Sequence, residues 1–150
     1  MKGQFSRFFL ALLWAALIVE SGLADPLLTV PLRIKGHDIR AEVAHTPDAR
    51  ARGLMHRKTL PENQGMLFVY PEPGPHAMWM MNTALPLSVA FIDAEGVILN
   101  IRTMTPLSSD SHTAAGDAAY SLEMNAGWFE RRGIKKGDRV EGFSQAPAGK

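Results

Sequence analysis

The chain of 150 residues contains no cysteine. Disulfides, thiolate metal sites, a cysteine nucleophile and lipid attachment through a new N-terminal Cys are all excluded, so an ordinary apolar core must hold the fold. Also missing are a Gly-x-Ser-x-Gly elbow, two His at helical spacing with a Glu, and any phosphate-loop, dinucleotide or zinc signature. An excess of one charge is absent too. The totals of 16 basic and 15 acidic residues fall to 14 and 14 once Lys2, Arg7 and Glu20 are set aside. That balance argues against nucleic acid or an anionic membrane surface as the partner.

Long hydrophobic runs are likewise scarce. The longest, Phe8 to Val19, has 12 residues, short of the ~20 that span a bilayer. It follows Lys2 and Arg7 and ends at Glu20, and Gly22 and Ala24 are small residues at the positions a signal peptidase reads. This pattern predicts a secretory signal over 1–24, cleaved before Asp25. No twin arginine precedes it, so general secretion to the periplasm or medium is expected, with no stable membrane anchor after cleavage.

What remains, residues 25–150, suits one domain of the size that hides about two-thirds of its unfolded surface. Leu27 to Ile34 and Ile39 to Thr46 alternate apolar and polar residues around Gly36-His37-Asp38, which predicts a hairpin. Pro31 has no amide hydrogen, placing that strand at an edge or a bulge. Thr46-Pro47-Asp48 combines a capping hydroxyl, a first-turn proline and a carboxylate at the positive dipole end, so a short helix should run to Gly53. Met66 to Tyr70 reads as a strand closed by a stiff turn, Pro71 to Pro75, with three prolines and one glycine.

Three extended segments follow: His76 to Asn82, Leu87 to Ile92, and Val97 to Thr105 after the Asp93-Ala94-Glu95-Gly96 turn. Pro106 to Asp117 is Ser-rich and aperiodic. Tyr120 to Met124 reads as a strand, Asn125 as the cap of a helix over Trp128 to Arg132, Gly133 as its stop, and Val140 to Phe143 as a last strand. Residues 144–150 are expected to be disordered. The fold class is mainly β (α+β): a compact barrel-like antiparallel sheet over 25–143 with two short helices.

Arg52-Gly53-Leu54-Met55, Gly65-Met66-Leu67-Phe68, Trp79-Met80 with Asn82-Thr83 and Pro86-Leu87, then Phe91-Ile92-Asp93 occur in this order. Gly133-Ile134 and Gly137 to Val140 extend the series. In these motifs, over about Ala41 to Val140, the chain resembles the domain-of-unknown-function family numbered 192. The resemblance implies a small β-rich exported or membrane-associated bacterial or archaeal domain with no established enzymatic activity. Met81 and Ser88 depart from the family's usual Lys and Asp. The loop Pro106 to Asp117 lacks the cysteines many members carry there, so no disulfide clamps it.

The stretch His76 to Asn82 concentrates unusual side chains. On a strand, His76, Met78, Met80 and Asn82 share one face and Ala77, Trp79, Met81 and Thr83 the other. One imidazole and two thioethers on one face suit Cu(I), a copper site that needs no thiolate. Against that, same-face neighbours stand ~6.5–7 Å apart, and methionine is a common filler of small β cores. A ligand patch is the other functional reading: Arg52, Trp79, Met80, Asn82 and Thr83 would offer an aromatic face and several donors to an anionic or sugar-like ligand. Arg52 pairing with Asp93 or Glu123, and Asn82 with Thr83 satisfying their own backbone, are the structural alternatives.

An enzyme is the third reading and the weakest. Ser108, Asp110, Ser111 and His112 supply triad residue types but crowd one loop, and His76 or Asp93 would have to join a nucleophile in one cleft. The functional expectation is therefore an exported binding or accessory module for a small ligand or an exported protein. It needs no cofactor unless copper binds at His76, Met78 and Met80.

Overall fold

The computed structural model describes residues 26–150, so the expected signal segment and its cleavage point lie outside the described residues. Alternating side chains build the first hairpin from β1 (Thr29–Ile34) and β2 (His37–Ala44). Its turn is Lys35-Gly36, at φ 47° and 80°, the left-handed pair a type I′ turn requires. His37 and Asp38, expected in the turn, join the strand instead. Helix α1 (Pro47–Arg52) starts as its cap predicts: the Thr46 hydroxyl accepts the Ala49 amide at 3.2 Å, and Gly53 ends it.

The remaining strands are β3 (Gln64–Gly74), β4 (Ala77–Met78), β5 (Leu87–Ile92), β6 (Ile98–Met104), β7 (His112–Thr113), β8 (Ala118–Asn125) and β9 (Val140–Glu141). Helix α2 (Trp128–Arg131) and a 3-10 turn at Phe143–Gln145 complete the described elements. Seven strands form one sheet in the order β6-β5-β8-β3-β2-β1-β9, and β4 pairs with β7 beside it. The sheet curls until its edges approach: Val97 bridges Arg139, and the Ile98 amide donates to Asp138 O at 2.9 Å. The architecture is the expected β-rich, barrel-like one.

Four local expectations are corrected. The sheet is not wholly antiparallel, because the connection through α1 carries the chain back to the start of β2 and β3 pairs with it in parallel. Pro71 and Pro73 do not end β3; the register slips between Val69 and Gly74, so neither proline owes the ladder an amide. Gly127, not Asn125, caps α2, because the Asn125 amide group is drawn to Leu60 O at 2.8 Å. Residues 144–150 are tied down rather than free, with the Lys150 amide on His45 O at 2.8 Å and Arg50 on Lys150 O at 2.7 Å.

Two apolar layers use the sheet's two faces. Inside the curl lie Val30, Leu32, Ile34, Leu67, Ile92, Leu122 and the fully buried Trp128. On the outer face Met66, Phe68, Val89 and Phe91 meet Leu54, Met80 and Leu85 from the segments that cover it. Being packed on both faces explains why β5 is buried at every position. The outer layer is where α1 and the methionine-rich ribbon come together.

Candidate functional site

A cavity of about 230 Å³ opens between the end of α1 and the ribbon His76 to Thr83. Arg50 to Met55 form one wall, Ala77, Met78 and Trp79 the other, and Phe68, Tyr70 and Glu123 the floor, with Thr83 at one end. The sheet register explains the floor. Glu123 on β8 stands between Met66 of β3 and Val89 of β5, on the outer face of the central strands. Strand alternation thus aims a carboxyl into an otherwise apolar layer.

Glu123 is 3 % exposed, and among the described residues its carboxyl has no hydrogen-bond partner. Burial pushes its pKa up to about 8, because a carboxylate there would lose water without gaining a donor. The group is therefore neutral through most of the neutral range. Tyr70 cannot relieve it: its hydroxyl lies 2.9 Å from Ser121 Oγ and 3.4 Å from the Met78 sulfur. Burial holds that hydroxyl's pKa above its ordinary value.

The two arginines differ. Arg50 is anchored by the carbonyls of His45, Val69 and Lys150, at 2.8, 3.0 and 2.7 Å. Arg52 is exposed, lines the cavity mouth, and has no ion pair or side-chain hydrogen bond among the described residues. Neither structural pairing considered for it is seen: Asp93 caps its own turn through the Glu95 and Val97 amides, and Glu123 stays unpaired.

The ribbon itself is clamped from both sides. His56 N donates to Asn82 O, Leu107 N to Thr83 O and Met80 N to Ser108 O, each at 3.0 Å. Asn82, His56 and Leu107 hold left-handed φ values of 55°, 62° and 62°. Such conformations cost non-glycine residues energy and concentrate where a surface must be shaped. The loop expected to be without structure, Pro106 to Asp117, supplies β7, and Asn100 locks it without a disulfide: its side chain donates to Thr113 O at 3.1 Å and accepts from Ala115 N at 2.9 Å.

The structure brings Arg52, Trp79 and Thr83 to one cavity and places Met80 and Asn82 outside it. Alternation holds from His76 to Met81, with Trp79 and Met81 55 % and 43 % exposed and Met80 wholly buried. It fails at Asn82, whose left-handed turn leaves Asn82 exposed and Thr83 buried. The three copper candidates each have other company. The His76 ring stacks on Tyr70 at 3.7 Å and bonds Glu72 O at 2.8 Å, Met78 receives the Tyr70 hydroxyl, and Met80 is packed in the outer core. Among the described residues no group of three or more His, Asp or Glu could hold a metal. Ser108 Oγ accepts the Asp110 amide, and His112 stands opposite Met78 in the β4–β7 pair.

Of the floor residues, the sequence points to Glu123 only as a pairing partner for Arg52, and to Tyr70 not at all. Their only signal was a Glu inside the apolar run of β8, which alternation alone would have assigned to a packed face.

A match to the family DUF192, described as Uncharacterized ACR, spans residues 30–142 and so takes in the motif series. The chain belongs to the DUF192 family. A crystal structure of a protein of unknown function from Novosphingobium aromaticivorans DSM 12444 is similar, with 35% identity, a TM-score of 0.76, and 79% of this chain and 89% of that one covered. So is one from Sinorhizobium meliloti 1021 whose protein is suggested to be a transcription regulator, with 38% identity, a TM-score of 0.76, and coverage of 78% and 95%. No curated protein matches the chain. Where this DUF192 member departs from the resemblance, Met81 is exposed, and Ser88 is buried and accepts the Gly127 amide at 3.2 Å.

Proposed function

We propose that this DUF192 protein is an exported, non-catalytic binding module that holds a small ligand in the cavity between α1 and the methionine ribbon. The observation that carries the reading is Glu123: a carboxyl only 3 % exposed, without a protein donor among the described residues, at the floor of a cavity lined by an aromatic wall and an exposed guanidinium. A carboxyl so largely cut off from water and facing a cavity gains when a ligand there supplies a hydrogen bond. Concave, largely apolar sites with a few convergent polar groups are where small ligands bind.

Among the described residues, nothing around Glu123 supplies the partners a hydrolase would need. A nucleophile in hydrogen-bond reach of a base, with that base oriented by a third group, is the requirement. Tyr70 is tied to Ser121 instead, and Ser108 and His112 lie on the separate 106–117 loop. The signal-like segment supports export, and the even charge balance speaks against a nucleic-acid partner.

The test is an unbiased one. A fragment library of neutral, cationic and anionic small molecules is screened against the full chain by amide and indole NMR shifts. Binding that clusters on Gly53, Trp79 and Thr83, and is lost when Trp79→Ala opens the wall, is the expected result. No fragment perturbing those resonances would overturn the reading.

A further inference from the structure

Resting on that reading, we infer that the cavity takes a small zwitterion with an apolar body, its ammonium group seated on Glu123 and its carboxylate held at the mouth by Arg52. The chemistry of the walls orders the ligand from floor to rim. The floor is electron-rich, made of the Glu123 carboxyl and the Phe68 and Tyr70 rings, and Met55 and Met78 stand in the walls beside it. The Tyr70 hydroxyl is already engaged by Ser121 and Met78, so the one O–H left at the floor is the proton that neutral Glu123 itself carries. An occupant that takes that proton's place must bring the donors itself. A primary ammonium brings three, together with the charge that favours an ionised Glu123, and it is attracted to aromatic faces and to polarisable sulfur.

The rim has the opposite character. Arg50 and Arg52 are the charged groups there, and Arg50 is held in place by three main-chain carbonyls, which take both Nη1 hydrogens and one from Nη2. Arg52 has no partner among the described residues, so its whole fork is available to a carboxylate in bidentate geometry. A bare amine would meet this positive rim unfavourably, and a bare carboxylate would meet the Glu123 floor unfavourably. A molecule carrying both charges satisfies each end. Between them Trp79, Met78 and Leu54 offer an apolar wall.

Size sets the remaining limit. The cavity of about 230 Å³ holds roughly seven or eight water volumes, room for a molecule the size of a free apolar amino acid and not for a folded partner. The 55 % exposure of Trp79 at the mouth leaves a ring to be covered as the ligand enters.

The experiment compares three probes of one skeleton on the full chain: L-phenylalanine with both charges, phenethylamine without the carboxylate, and hydrocinnamate without the ammonium. Affinity is read from Trp79 indole and Gly53 amide shifts. L-phenylalanine is expected to bind at least tenfold more tightly than either analogue. Glu123→Gln, which keeps the shape of the protonated side chain, should weaken L-phenylalanine and phenethylamine at least tenfold and leave hydrocinnamate unchanged. Arg52→Gln should weaken L-phenylalanine and hydrocinnamate and spare phenethylamine.

Equal binding of all three probes, or binding of L-phenylalanine that Glu123→Gln does not change, overturns the zwitterion assignment. A fragment screen that finds other occupants of the cavity while L-phenylalanine, L-leucine and L-methionine all fail also overturns it, and leaves the binding module standing. Silence from both the screen and the zwitterions removes both.

Discussion

The Tyr70 hydroxyl lies 2.9 Å from Ser121 Oγ, two residues ahead of Glu123 on the same face of β8. That bond fixes the ring beside the cavity floor, and with Met78 also engaging the hydroxyl, Tyr70 is not free for Glu123. A one-place change in where β3 and β8 pair would turn Ser121 and Glu123 into the inner core, so the site depends on register.

Tyr70→Phe removes the hydroxyl and strands Ser121, both partners being buried or nearly so. The expected loss is about 0.5–1.5 kcal/mol of folding stability, measured by urea unfolding. The double variant Tyr70→Phe with Ser121→Ala should lose less than the sum of the single changes.

Glu123 makes stability depend on pH. Its native pKa of about 8 lies above the ordinary carboxyl value of 4.5, so the native state keeps a proton that the unfolded chain gives up. Stability from this group is fully present below about pH 4.5 and falls as pH rises, levelling off above about pH 8. Arg50, Arg52 and Tyr70 face the same cavity. Replacing Glu123 by Gln should raise stability at pH 8 by a few kcal/mol and change it little at pH 4. A melting curve whose pH dependence is the same in both proteins would refute this.

Asn100 should matter more than its place on an edge strand implies. It is 8 % exposed and holds loop 106–117 through two backbone bonds. Asn100→Ala is expected to cost about 1–3 kcal/mol and to speed hydrogen exchange at Ala115 selectively, with the amides of β8 unchanged.

Met80 and Met78 separate packing from metal chemistry. Met80→Ala empties a fully buried site and should cost about 2–5 kcal/mol, whereas half-buried Met78→Ala should cost less. Titrated with Cu(I) against a competing chelator, the chain is expected to bind no more tightly than micromolar. Submicromolar affinity that Met78→Ala abolishes would establish the copper reading instead.

Much of the fold was legible because its signals are local. The Thr46 cap, the Asp93–Gly96 turn, the alternation of β1 and β2 and the mostly apolar run of β5 each state a backbone preference within a few residues. The misread places are those where a distant residue outbids the local preference. Asn125 could cap a helix but bonds Leu60, 65 positions away, and the proline segment stays extended because β8 accepts a slipped register. His112 and Thr113 form a strand only because Ala77 and Met78 lie opposite.

The candidate site divides in the same way. From the sequence alone it follows that no thiol chemistry is available, that the ribbon from His76 to Met81 alternates, and that Trp79, Arg52 and Thr83 are chemically suited to a ligand. Only the tertiary structure decides that these three meet, that Met80 is core, and that a carboxyl from β8 forms the floor beneath them. A side chain's chemistry is carried by its residue type, but its surroundings are assembled from four or five segments far apart in the chain, and it is those surroundings that withhold water from Glu123 and leave it in need of a partner.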